Sequence, residues 1–470
     1  MKMVIGGRWI DKPETIDVLN PYDQSLVDTV PRGTNDDVLA AIEIAQKGYE
    51  INKELPVHKR ISILKKTAVL MQERFDDLAL TIATEGSKTI REARKEVGRA
   101  INTITISAEE ARRINGETLP FDSVEGSENR VGYYYRFPIG IIAAITPFND
   151  PLNLVAHKVG PAIAGGNSVI VKPATVTPLS ALKLAECLFD AGLPGEILSV
   201  ITGPGSEIGK ALVKDDRIRM VSFTGGVEAG ETVAKLSGLK KVGMELGSNS
   251  PVIVLNDCDL DKAVESCVSG AFWAAGQNCI GVQRIYIQHD IYNDFRDAFV
   301  AKTNTYKTGH QLDEDTDMGP MITPSETERV IQWVDEAIGQ GATCLTGGTR
   351  EGSLVKPTVM ENMPPGAKLD CQEIFGPVVS LYRVGGLDEA IEKSNNVDYG
   401  LHGAIFTNNL NHAFKAIKEM NVGGIMVNDS TDYRVDLMPF GGVKKSGLGR
   451  EGIRYALEEM TEPKVVCFNL

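Results

Sequence analysis

The order of apolar runs along this chain predicts an α/β fold containing two doubly wound, mostly parallel sheets. Between residues 140 and 223, short runs rich in Ile and Val alternate with helix-length segments, and a second series of such units starts near residue 251. At 470 residues the chain is also too long for one simple core, so two or three packed domains are expected.

The elements follow in chain order. Val4 to Tyr22 reads as short strands with turns. Asn35 to Lys47 and Val57 to Gly86 have helical apolar spacing, and Asp36-Asp37 stand where a first helical turn favours anions. A further helix is expected from about Ser87 to Asn115. Its arginines 91, 94, 99, 112 and 113 read mostly as solvated residues. Val131 to Pro138 is an aromatic, β-prone run that suits an edge hairpin or a subunit contact. Strands are then expected at 140–145, 168–172, 198–201 and 220–223, with helices at 151–165, 177–191 and 206–213 between them. In such a sheet ligands bind at the carboxyl ends of the strands. The second series runs through 251–255, 403–406 and 424–427, which puts the boundary between the two α/β domains close to Gly247.

Composition narrows the function. Apolar residues make up 42% and charged residues 24%, an ordinary globular balance. The net charge of −14 counts against a nucleic-acid or anionic-membrane partner, either of which favours a basic face. Seven cysteines (187, 258, 267, 279, 344, 371, 467) are scattered and never spaced CxxC, which fits a reducing compartment and neither a disulfide framework nor a metal site. Residues 1–30 lack a signal-peptide pattern and no apolar run reaches 18 residues, so a cytoplasmic location is expected.

Several short segments could carry chemistry. Gly203-Pro204-Gly205-Ser206-Glu207-Ile208-Gly209 follows a strand and opens a helix, where glycines let backbone amides approach a pyrophosphate. A structural tight turn explains that spacing equally well. Phe223-Thr224-Gly225-Gly226 repeats the arrangement one unit later. Lys172 ends a strand in the same half, where its ammonium could meet ribose hydroxyls or phosphate, or only solvent. Glu245 follows a short apolar strand, a setting that raises a carboxyl pKa and suits a general base. Asn149 closes a strand-to-helix turn and could donate to an oxyanion or cap the helix. Cys279, in Gly276-Gln277-Asn278-Cys279, sits between apolar segments as a reachable nucleophile does, although most free cysteines are packing residues.

Together the segments TPFN (146–149), VKPA (171–174), GPGSEIG (203–209), FTGG (223–226), MELG (244–247), GQNC (276–279), EIFGP (373–377) and PFGGVKKSGLGREG (439–452) resemble the aldehyde dehydrogenase superfamily, in order and over nearly the whole chain. The 34-residue step from Glu245 to Cys279 resembles the family as well. The resemblance implies a Rossmann-like coenzyme domain (1–118 and 138–247), a catalytic domain (248–440) and a small bridging β-sheet (119–137 and 455–470) that builds a homodimer or homotetramer. It implies that the Cys279 thiolate attacks an aldehyde, that Asn149 and the Cys279 amide hold the oxyanion, and that Glu245 activates the hydrolytic water. NAD or NADP, with no metal, would lie on Thr146, Pro147, Phe148, Lys172, Ala174, Thr175, Gly205, Gly209, Phe223, Thr224, Gly225, Leu246, Glu373 and Phe375.

Three positions depart from the family pattern. Gly226 stands where a serine is common, Ser248 replaces the second glycine of ELGG and is expected to crowd the turn, and Thr175 replaces a glutamate frequent in NAD-preferring members. Without that carboxylate a 2′-phosphate meets less repulsion, so NADP is expected to be tolerated.

For the substrate, the resemblance matches Arg99 to a helix position where members handling anionic aldehydes carry an arginine, and puts Arg434 on the loop before Pro439-Phe440 that lines the substrate mouth. His157, eight residues after Asn149, is expected two helical turns on, on the same helix face. Solvated arginines and a core histidine are the plain alternative. Asn278 replaces the arginine that precedes the cysteine in members acting on phosphorylated or phosphonylated aldehydes. The AHK (156–158) and DYRVD (432–436) segments look most similar to the lactaldehyde, sulfolactaldehyde and phosphonoacetaldehyde dehydrogenase branch. A short 2-hydroxy aldehyde of the lactaldehyde or 3-sulfolactaldehyde type is therefore the expectation. Glyceraldehyde 3-phosphate, phosphonoacetaldehyde and succinate semialdehyde are alternatives, as are a CoA-acylating enzyme and a non-catalytic protein that keeps the fold.

Overall fold

The computed structural model describes residues 1–470. Its first sheet has eight strands. Five parallel ones lie in the spatial order Leu198–Val200, Ser168–Lys172, Ile141–Ile145, Ile218–Thr224, Lys241–Glu245. That is the 3-2-1-4-5 order of a doubly wound sheet, and its switch point falls between Ile141–Ile145 and Ile218–Thr224. Antiparallel additions, Met3–Ile5 with Arg8–Ile10 at one edge and Gly447–Leu448 at the other, complete it.

The period of two along each strand explains why these runs are apolar throughout. Ile142 and Ala144 enter the core on one face of the sheet, while Ile141, Ala143 and Ile145 enter the core on the other. Val252 and Val254 against Ile253 and Leu255 do the same for the second sheet. That sheet runs Thr343–Thr346, Thr358–Glu361, Val378–Val384, Val282–Gln288, Ser250–Val254, His402–Phe406, Gly424–Val427, parallel except for the first.

A third sheet of three antiparallel strands, Glu117–Leu119, Arg130–Pro138 and Thr461–Asn469, stands apart from both. The helical stretch expected from Val57 to Gly86 is two helices, Val57–Glu73 and Phe75–Glu85. Arg74 leaves helical geometry at φ −103°, ψ 21°, and Asp76-Asp77 start a new first turn. No helix is long and apolar enough to cross a membrane.

The chain passes from the last parallel strand of the first sheet to the first strand of the second through residues 246–249. Consequently the carboxyl ends of one sheet face the amino ends of the other. The carboxyl ends supply Thr146 to Asn149, Thr224 to Gly226 and Glu245. The amino ends supply Cys279, just before Val282–Gln288, and Glu373 to Pro377, just before Val378–Val384.

Candidate active site

Two cavities meet between the sheets. The larger, about 970 Å³, runs along the carboxyl edge of the first sheet; the smaller, about 580 Å³, opens beside the second. Asn149, Leu154, Thr224, Glu245 and Cys279 line both, so the residues expected to do chemistry stand where the cavities join.

The loop that brings Cys279 there is strained. Ala274 (φ 50°, ψ 38°), Ala275 (φ 55°, ψ 38°) and Gly276 (φ 67°) are left-handed in succession, a conformation that costs an alanine about 1 kcal/mol or more. A β-carbon on Gly276 would come within 2.2 Å of the Gly376 carbonyl oxygen, so glycine is required there by space as well as by φ. Beyond it, Asn278 turns its amide oxygen back to the Ile280 N–H (3.3 Å) and its carbonyl to the Gly281 N–H (3.0 Å). The Cys279 N–H has no acceptor within the chain, and neither does the Asn149 side-chain amide. Two free donors in the cavity that holds the thiol are the kind of groups an oxyanion needs.

The electrostatics set the protonation states. Burial pushes the Cys279 thiol up to about 12; Arg434 pulls it down, and Glu373, Glu245 and Glu451 oppose that pull. Glu245 is raised well above the usual carboxylate range, first by burial and then by the neighbouring Glu451. Its Oε2 is buried without a partner. Glu451 is held low despite burial, because Lys158, His157 and Arg434 face it. Lys158 bridges Glu451 (2.7 Å) and Ser222 (3.0 Å). Glu451 also lines the smaller cavity. It lies inside the GREG segment quoted above, yet its carboxylate was not singled out, since its partners come from positions 158 and 434.

Arg434 and Arg99 both line the smaller cavity, together with Asn278. Arg434 is nearly buried, with 7% of its side chain exposed; it stacks 3.6 Å from the Phe440 ring centroid and meets Glu451 at 3.4 Å. Its Nε has no partner. Arg99 is a third exposed and bonded to Asp436 (3.1 Å) and Asp150 (3.5 Å).

His157 is not in the cavity. The expectation puts it on the helix face of Asn149, two turns on, but the helix begins at Asn153, so helical spacing cannot be counted from 149. Its ring is buried, with Nε2 at 2.9 Å from Asp436. His402, opposite Phe440, is likewise buried, which lowers its pKa to about 4, and it contacts the Thr431 carbonyl at 2.8 Å.

The larger cavity is lined by Thr146, Pro147, Phe148, Lys172, Ala174, Gly205, Gly209, Phe223, Thr224, Gly225, Leu246, Glu373 and Phe375. Thr175 is not part of the wall; its hydroxyl donates to the Gly203 carbonyl at 3.3 Å. A dinucleotide fits this lining. Side chains added at Gly209 or Gly226 would meet nothing within 4 Å, and the buried Thr146 and Thr224 hydroxyls lack partners. Burial alone lowers Lys172 to about 8, with no carboxylate beside it. Glu373, raised by burial to about 7, is held by the Ser248 N–H at 2.8 Å. The crowding expected at Ser248 does not occur, because its hydroxyl turns away to Ser250 (3.1 Å). No group of three or more His, Cys, Asp or Glu is placed to hold a metal.

Comparison with known proteins gives the family. The model of the aldehyde dehydrogenase family matches residues 9–466. An aspartate-semialdehyde dehydrogenase of Pseudomonas canavaninivorans is 51% identical over 455 residues, covering 97% of each chain. A 3-sulfolactaldehyde dehydrogenase of Priestia aryabhattai is 47% identical over 468 residues, covering 100% of this chain and 98% of the relative. The solved glyceraldehyde-3-phosphate dehydrogenase of Methanocaldococcus jannaschii, complexed with NADP, superposes with a TM-score of 0.95 at 39% identity, covering 98% of this chain and 100% of that one.

Proposed function

The chain belongs to the aldehyde dehydrogenase family, and from that premise we propose that it oxidises a short, anionic 2-hydroxy aldehyde of the 3-sulfolactaldehyde type to its carboxylate. Membership makes it an NAD(P)-dependent enzyme of the non-acylating kind. The observation that carries the substrate reading is the nearly buried Arg434 guanidinium, its Nε unpaired, in the cavity that holds Cys279. A buried, partly unpaired guanidinium favours a sulfonate, carboxylate or phosphate as its second partner.

The residues act in a simple order. The Cys279 thiol, protonated at rest, releases its proton to solvent as its sulfur bonds to the aldehyde carbon, and the oxygen takes up negative charge between the Asn149 amide and the Cys279 N–H. A nicotinamide coenzyme would be held by Lys172, Glu373 and the helix start Gly205–Gly209, and would supply the two-electron acceptor. Oxidation of the sulfur adduct leaves a thioester on Cys279. Glu245 takes a proton from water, the water oxygen bonds to the thioester carbon, and the C–S bond breaks to release the acid. Asn278 in place of an arginine leaves the pocket less cationic, which favours a singly charged group over phosphate. Lys172 without a neighbouring carboxylate suits NADP as well as NAD.

The likeness to an aspartate-semialdehyde dehydrogenase supports a second reading, an amino-substituted aldehyde. Glu265, Asp429 and Asp432 line the same cavity and offer partners to an ammonium. Nicotinamide reduction, followed over sulfolactaldehyde, lactaldehyde, aspartate semialdehyde and succinate semialdehyde with each coenzyme, separates the readings. Arg434→Ala should raise KM for the anionic aldehyde at least about tenfold more than KM for propanal, a charge-assisted bond being worth about 1.5–3 kcal/mol. Equal effects on both substrates exclude the anion site. A cytoplasmic homo-oligomer built through the third sheet completes the reading.

A further inference from the structure

The helix Ile90–Glu110 carries a stripe of charge that the chemistry above does not use. Glu92, Lys95, Glu96 and Arg99 are spaced by three and four, so they share a face. Each touches a different part of the catalytic wall. The Glu92 carboxylate accepts from the Ala274 N–H and from the Thr89 N–H, both at 2.8 Å. The Lys95 ammonium lies 4.8 Å from the Trp273 ring centroid. Glu96 accepts from the N–H groups of Leu152 (2.9 Å) and Asn153 (3.1 Å), and from Lys88 at 2.7 Å. Both carboxylates are buried, at 4% and 1% exposure.

What Glu92 holds is the strained backbone. Two alanines persist in left-handed geometry only when their surroundings over-determine it. Here the Ala274 N–H is fixed by Glu92. The Gln277 amide is fixed at both ends, donating to Ser87 Oγ (2.9 Å) and accepting from the Ile322 N–H (2.9 Å). What Glu96 holds, one helical turn further on, is the turn that carries Asn149.

We propose that Glu92 and Glu96 form a two-carboxylate clamp that sets the register between the nucleophile and the oxyanion donor. Glu92 braces the Cys279 loop, Glu96 braces the Asn149 turn, and the rigid helix between them fixes their separation. Both are positioning residues that touch neither substrate nor coenzyme, and the inference rests on Cys279 being the nucleophile.

The test compares turnover with iodoacetamide labelling of Cys279, read by mass spectrometry on its own peptide against the partly exposed Cys344, which lies outside the third sheet. Glu92→Ala should lower kcat about tenfold or more, with the aldehyde KM within about twofold, and slow labelling in parallel, since small misplacements cost large factors in rate. Ala274→Gly in the same background should restore most of both, because glycine takes the left-handed turn unaided. Thr89→Ala removes the other half of the helix cap but leaves the bond to Ala274, so it should lower Tm without slowing labelling. Equal slowing in Thr89→Ala, or no rescue by Ala274→Gly, overturns the clamp. Should Glu92→Ala fail to fold, Glu92→Gln takes its place. It keeps the volume but accepts from only one of the two N–H donors, so labelling slows if the Ala274 bond is lost and Tm falls if the Thr89 bond is lost; both unchanged overturns the clamp. Cys279→Ala is the separate control: turnover that survives it removes the nucleophile reading itself.

Discussion

Glu245 is poised between two demands. It must be a carboxylate to take a proton from water, yet burial and the nearby Glu451 favour its neutral form. Its pKa is raised, so the active, deprotonated form is lost as pH falls and recovered as pH rises through the raised value. Turnover should therefore climb with pH over a range above the ordinary carboxylate pKa. Glu245→Gln should flatten that limb, lower kcat by about 10²–10⁴-fold, and leave a thioester on Cys279 visible by intact mass after aldehyde and coenzyme are added. A variant that turns over without accumulating thioester would assign the water to another base. The carboxylate and the thiol could be named as candidates from sequence, because Glu245 ends a short apolar strand and Cys279 follows the Gly276-Gln277-Asn278 motif between apolar segments. Their partners were not. Arg99 meets Asp436 across 337 residues of sequence, and Lys158 meets Glu451 across 293, so no local spacing announces either pair.

The elements themselves were read from periodicity, and the reading held wherever a run was apolar on both faces, as in Ile141–Ile145 and Ser168–Lys172. It failed at His157, because Asn149 lies in the turn before the helix Asn153–Ala164, so helical spacing does not relate the two residues. His157 acts from behind the wall instead. Asp436 is held far below the usual carboxylate range by His157, Arg99 and Arg434, so it only accepts, and Nε2 must donate. The strand His402–Phe406 has a related dependence. His402 contacts the Thr431 carbonyl, and Thr431 in turn donates to the Ile280 carbonyl (2.6 Å), next to Cys279. Its folded pKa, about 4, lies below the unfolded value of about 6.5. The neutral ring's contribution is thus complete above about pH 6.5 and is lost as pH falls towards 4, with a slope of at most about 1.4 kcal/mol per pH unit. Tm should fall over this window. His402→Gln should flatten the fall while lowering Tm at neutral pH; an unchanged slope would place the acid sensitivity elsewhere.

On the scale of the whole molecule, alternating strands and helices foretold two sheets but not how they meet. That the second sheet offers its amino ends to the site depends on the short 246–249 crossing, whose direction no periodicity encodes. The third sheet poses the remaining problem. Its strands Arg130–Pro138 and Thr461–Asn469 are wet on both faces, with Val131, Tyr135, Phe137, Val465 and Phe468 exposed. Three strands without a buried face are marginal in water, and such an apolar surface is ordinarily covered. A second copy of the chain is the natural cover, since the same residues are then buried on both sides. Placing one charge on each face, Val465→Glu with Phe468→Glu, removes no core residue and adds repulsion whichever face meets the second copy. In light scattering after gel filtration the wild type should run as a dimer or tetramer and the double variant as a smaller species. The site itself lies between the two large sheets, so the dissociated chain should still label at Cys279 with iodoacetamide. A wild type that is monomeric at micromolar concentration, or a variant whose mass is unchanged, would mean that this sheet is not the contact.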